Sequence, residues 1–276
     1  MEPRKPYPTD LTEEQYELVA PFLPKQKATG RKFTIPRREI FNAILYKVKT
    51  GCQWRALPHD LPHHKTVYTY FCWWTLDGTL DAMLTALREA VRVQEGREAT
   101  PSAAIIDSQS VKTTAYGGEK GSIGVDGNKR VNGRKRHILT DTLGLLLAVV
   151  VTAANVGDRE GARKLAQACR AFPRLSKIWV DGGYSGDIKA VYEEKHTIDF
   201  EVVEKPAGQK GFVVSPKRWA VERSFAWMGW DRELSRDYEY CPRHSESMIK
   251  LSQIHLMLNR LKPSVKSRKN ARKENT

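Results

Sequence analysis

A chain of 276 residues with 46 lysines and arginines against 32 aspartates and glutamates, net +14, has length for a packed core and a charge that points to a polyanionic partner, most simply nucleic acid. Its four cysteines, Cys52, Cys72, Cys169 and Cys241, show neither Cys-x-x-Cys pairing nor the density of a disulfide framework, which fits a reducing compartment. The opening MEPRKPYPTD is no apolar leader and the longest apolar stretch, Leu143 to Ala154, is too short to span a bilayer, so a soluble cytoplasmic protein with no membrane partner is expected.

The first ninety-three residues read as a small all-helical unit. LTEEQYELVA opens with a capping box from Thr12 to Gln15, and Pro21 stops or kinks that helix. Ile40, Phe41, Ile44, Leu45 and Val48 share one helical stripe that ends at Gly51, and Val67, Tyr68, Phe71 and Cys72 share another. Leu80, Met83, Leu84, Leu87 and Val91 repeat the pattern. Helix-turn-helix DNA reading is open to this unit, with the helix near Lys65 to Thr75 as reader. His59, His63 and His64 with Cys52 and Cys72 match no common zinc spacing, so no structural metal is expected. Residues 94–102 have the composition of a linker.

From residue 103 the period changes to that of strands and crossover helices, through 262. SAAIID reads as a strand ending at Asp107, and the glycine-rich, cationic segment after it as a loop. That loop is either a plain solvated connection or, through Lys129, Arg130, Arg134, Lys135 and Arg136, a set of contacts to a nucleic-acid backbone; it lacks the spacing of a nucleotide-binding P-loop. RHILTDTLGLLLAVVVTAA is a hairpin turning near Asp141 to Gly144, and Asp158 is the expected N-cap of the helix that follows. KIWVDGGY is a second strand ending on an acid, Asp181. SGDIKAVYEEK is a helix capped by Ser185, and TIDFEVVEK is a strand. A helix with Ser215 as N-cap and Pro216 at its first position carries Glu222, and a last helix precedes a basic tail, 263–276, expected to be disordered. Hairpin followed by crossovers argues an α/β fold with a mixed sheet flanked by helices.

Two strands that run into aspartates bring two carboxylates to the rim where α/β sheets bind ligands. Such a pair repels itself unless cations compensate it, and magnesium is the natural hard cation for carboxylate and phosphate oxygens. Two ions about 3.5 to 4 Å apart can activate an attacking oxygen and stabilise a leaving one in phosphoryl transfer. Glu222 offers a third acid on a helix where Arg218 and Arg223 could meet phosphate. An aspartate-nucleophile phosphatase would want an acid two residues beyond Asp107, where Gln109 stands.

IIDSQSVK, GRKRHILTDTLGLLLAVVVTAANVGDREGA, WVDGGYSG and WAVERSFAWMGWDRELSRDYE, in that order, resemble the DDE transposases of bacterial insertion sequences, most closely insertion-sequence family five. LTEEQYELVAPFLP and GCQWRALP resemble the helical domain that precedes the catalytic domain there. The resemblance implies an RNase H-like catalytic domain, metal ligands and catalytic acids at Asp107, Asp181 and Glu222, and Mg2+ as cofactor with Mn2+ as a substitute. It implies double-stranded DNA partners, the element's ends and the target, a homodimer on DNA and a nucleoid-associated location. In the tyrosine-arginine-glutamate-lysine signature of the third acid, Arg218 fills the arginine place, while Ser215 and Gly229 stand for the tyrosine and the lysine. A metal-dependent nuclease that does not join strands, or a non-enzymatic DNA-binding regulator, are the rival readings.

Overall fold

The computed structural model describes residues 4–25, 34–114, 117–203 and 218–263. Ser215, Pro216 and the basic tail beyond residue 263 lie outside them. Helices α1 (Glu13–Val19), α2 (Arg37–Thr50), α3 (His64–Leu76) and α4 (Thr79–Gln94) form the amino-terminal part. Thr12 and Gln15 make the expected capping box, with Thr12 Oγ1 accepting from the Gln15 amide at 3.2 Å and Gln15 Oε1 from the Thr12 amide at 3.1 Å. Gly51 closes α2 at φ +66°, a left-handed cap that L side chains resist.

The second part is a six-stranded mixed sheet: β1 (Ala103–Lys112), β2 (Gly124–Asp126), β3 (Val131–Asp141), β4 (Leu146–Ala153), β5 (Lys177–Val180) and β6 (Asp199–Val202). The strands run β2-β3-β1-β5-β6, with β4 also on β3; β3 is antiparallel to β1, β2 and β4, and β1, β5 and β6 are parallel. Helices α5 (Asp158–Ala166), α6 (Ile188–His196), α7 (Trp219–Met228) and α8 (Pro242–Leu261) complete the chain. Asp187, and not Ser185, holds the cap position of α6. β1 and β3 also correct the expected strand end and loop. β1 continues five residues past Asp107, and β3 begins at Val131, so Arg134, Lys135 and Arg136 are strand residues. The architecture is RNase H-like.

Two cores flank the sheet. One, with Ala104, Ile106, Leu139, Ala162, Leu165, Tyr184 and Tyr192, lies under α5 and α6. The other joins both parts of the chain: Ile44, Phe71, Leu84 and Leu87 of the helical part pack with Ile105, Ile138, Val149, Val221, Met248 and Ile254. Buried ion pairs reinforce this seam, Arg92 with Asp141 and Lys47 with Glu233, the latter at 2.6 Å.

His137 lies fully buried on β3, its Nε2 3.0 Å from Thr152 Oγ1, and α5 passes so close that a Cβ on Gly161 would meet its Nδ1 at 2.0 Å. Burial lowers its pKa from 6.5 to about 4. The unfolded chain therefore binds a proton that the fold refuses, and stability falls as pH drops through that window and levels off below it. Parent and His137→Gln proteins are expected to diverge by on the order of 3 kcal/mol between neutral pH and the lower pKa, read by urea unfolding at stepped pH. Parallel curves would refute the neutral imidazole.

Candidate active site

Alternation along β1 sends neighbouring side chains to opposite faces. Asp107 shares the face of Ile105, toward α7, and Ser108 that of Ile106, toward α5. β5 pairs with β1 only over Ala103–Ile105, whereas β3 continues alongside with Ile138 opposite Asp107. Asp107 thus stands where one edge of the central strand has just opened. Asp181 follows β5 directly, and its Oδ1 accepts from the Gly183 amide at 2.9 Å.

The two carboxylates meet at one positive group. Arg218 Nη2 lies 3.1 Å from Asp107 Oδ2 and 3.2 Å from Asp181 Oδ2. Asp107 Oδ1 accepts from the Ser108 amide at 2.7 Å. Burial pushes the Asp107 carboxyl above its ordinary range; Arg218 and the Ser108 amide pull it back, while Asp181 adds to the upward shift. The strain of an acid in a strand interior is therefore relieved by a shared cation, here an arginine of the same chain.

Glu222 is half-buried in the first turn of α7, where the helix dipole favours a carboxylate, one turn beyond Arg218. Gly144, at φ +76° in the β3–β4 turn, lets α7 approach; a Cβ there would sit 2.8 Å from the Ala220 carbonyl oxygen. Ser224 Oγ donates to the Gly144 carbonyl at 2.6 Å and pins the helix across β1 and β3. Among the described residues no three His, Cys, Asp or Glu side chains converge as a ready metal cage. Asp107 and Asp181 do converge, and an all-oxygen pair that already shares a positive group fits a hard divalent cation.

The basic residues expected at DNA divide sharply. Lys129 and Arg130 are exposed, and Lys129 Nζ lies 3.5 Å from the Ser108 carbonyl. Arg134, Lys135 and Arg136 are buried. Arg134 is tied to Asp237, Ser122, Ser245 and the carbonyls of Glu239 and Tyr240; Arg136 to the carbonyls of Leu234 and Arg236; Lys135 to Asp158 and Asp126. Those contacts hold all three away from the surface. Arg223 packs over the rings of Trp219 and Trp227 at 4.2 and 4.7 Å and donates to the Leu143 carbonyl. Asp158, expected to cap α5, is instead its first residue, with Gly157 at the cap position. Its Oδ1 accepts from Ser108 Oγ at 2.7 Å and lies 3.2 Å from Lys135 Nζ. The spacing of the sequence marks where that helix starts but not which way its first carboxylate points.

An RNase H-like sheet that brings Asp107 of its central strand and Asp181, just after the neighbouring strand, to one arginine defines the class of fold. Comparison with known proteins narrows the class. Residues 98–258 match the family described as "Transposase DDE domain", and residues 11–84 match "Putative transposase of IS4/5 family". The chain belongs to the insertion-sequence transposases that carry a DDE domain. It is 31% identical over 115 residues, 39% of its length, to the "Putative transposase for insertion sequence element IS402" of Burkholderia cepacia. It is 32% identical over 81 residues, 29% of its length, to the "Uncharacterized protein y4sN" of Sinorhizobium fredii. The matched stretches span 54% and 65% of those two relatives' own lengths. Among the described residues no helix is long and apolar enough to cross a membrane.

Proposed function

We propose that the protein is a DNA transposase that cuts a phosphodiester at each end of its insertion sequence and joins the freed 3′-hydroxyl to target DNA. What supports this reading beyond family membership is one contact, the Arg218 guanidinium shared between Asp107 and Asp181. A positive group at that point is what the carboxylates require, and Arg218 is free to turn to a phosphate oxygen once a divalent ion takes over its charge. The ion, Mg2+ or Mn2+, would be held by Asp107, Asp181 and Glu222 and would supply charge to the attacking and leaving oxygens. Asp107 and Asp181 accept from the Ser108 and Gly183 amides, and Glu222, in the first turn of α7, would complete the set. Exposed Lys129 and Arg130 meet the duplex backbone close by, so binding falls with added salt. Cutting and joining two ends together calls for two copies of the chain on DNA.

The test uses short duplexes carrying the inverted repeats that flank the coding region, intact or already cut at the 3′ end. Joined products are expected from cut ends in Mg2+ or Mn2+, and none in a chelator. Cutting of intact ends without joining identifies a nuclease, and metal-independent binding with neither product identifies a regulator.

A further inference from the structure

A fourth carboxylate stands behind the acid pair, on the other face of the sheet. Asp158 accepts from the Ser108 hydroxyl at 2.7 Å, and the Ser108 amide is the group that holds Asp107 Oδ1 at 2.7 Å. One residue thus grips Asp107 with its backbone and Asp158 with its side chain. Asp158 also approaches the second aspartate: a Cβ built on Gly183 would lie 3.0 Å from Asp181 Oδ1 and 3.7 Å from Asp158 Oδ2. Lys135 is buried behind it, 3.2 Å from Asp158 and 3.6 Å from Asp126, and neutralises that side.

An independent feature points into the same space. Tyr184 is 1% exposed, and its hydroxyl, close to Ser108, forms no well-made hydrogen bond. Its pKa is raised well above the ordinary phenol value, first by burial and then by the charges of Asp107, Asp158 and Asp181. A buried donor in the field of three carboxylates, without a fixed acceptor, is placed to steer whichever carboxylate oxygen or bound water turns toward it.

We propose that Asp158 is a positioning residue of the acid pair, which, through Ser108 and with Tyr184, holds Asp107 and Asp181 in the orientation that admits a divalent ion. The inference rests on the reading of that pair as an ion site. Asp158 acts through Ser108. Loss of such an outer partner weakens metal affinity by about 10- to 100-fold.

The full-length protein without DNA is titrated with Mn2+, with free ion read by electron paramagnetic resonance, for the parent, Asp107→Asn, Asp158→Ala, Asp158→Asn and Tyr184→Phe. Asp158→Ala is expected to raise the Mn2+ dissociation constant about tenfold. Asp158→Asn, which keeps an acceptor for Ser108, should fall between it and the parent. Tyr184→Phe should also weaken binding with no change in fold by circular dichroism. DNA cutting by Asp158→Ala should recover at high Mn2+, whereas Asp107→Asn should not. A merely structural role would lower melting temperature and active fraction and leave the Mn2+ midpoint in place. An unchanged midpoint in Asp158→Ala and Asp158→Asn, with binding lost in Asp107→Asn, overturns this inference alone. A parent whose Mn2+ binding is indifferent to Asp107→Asn overturns the ion-site reading and this inference with it.

Discussion

Asp107→Asn is expected to lower DNA cutting and joining by at least about 100-fold, the upper end of what loss of an outer partner to a metal costs, while leaving the fold as stable as the parent or more so. Asparagine has the same shape and still accepts from the Ser108 amide, and Arg218 keeps Asp181 as its partner at 3.2 Å. What disappears is a charge that burial disfavours. The Asp107 carboxyl is raised in the fold, so its contribution to stability is fully present below the unfolded pKa and is lost as pH rises through the folded value. At neutral pH the ionised form is therefore a burden that the amide removes. Rates on end-bearing duplexes and melting temperatures of the two proteins check both halves. Retained cutting would remove Asp107 from the reaction, and a large drop in melting temperature would make it a structural acid.

Arg134→Met is expected to destabilise the protein by about 3–5 kcal/mol, a large share of the roughly 5–15 kcal/mol that holds a domain folded. Arg134 is fully buried and donates to Asp237 Oδ1 at 2.9 Å, to the Glu239 and Tyr240 carbonyls at 2.7 and 2.6 Å, and to Ser122 and Ser245. Methionine fills similar volume but strands the Asp237 carboxylate and two carbonyls away from water. Lys129→Ala and Arg130→Ala, at exposed positions, should change stability by less than about 0.5 kcal/mol and instead flatten the salt dependence of DNA binding. Urea unfolding and binding at stepped salt separate the two kinds of cation. An Arg134→Met protein as stable as the parent but weaker on DNA would return Arg134 to the nucleic-acid surface.

The contrast among these arginines shows how far the residues alone could be read. Asp107 and Asp181 were legible because each ends an apolar run, and a carboxylate there has few uses other than a charged site. The helical stripes of α2 and α4 were legible because their apolar residues recur at helical spacing. The far half of β1 was not. Past Asp107 its residues are SQSVK, mostly polar, and among the strands only β3 pairs with them. Arg134 and Arg136 looked like loop cations because most groups that accept from them, at residues 234–245, lie about a hundred positions later in the chain. Asp158 looked like a helix cap because its partner Ser108 lies 50 residues earlier, on a different strand.

The amino-terminal helices do not hang from a tether; their apolar faces are buried against α8 and the sheet. A chain built this way carries a ruler. The distance from α3 to Asp107 is cast into the molecule by that shared core. It also means that neither half can be borrowed by another protein without exposing the oily face it leaves behind.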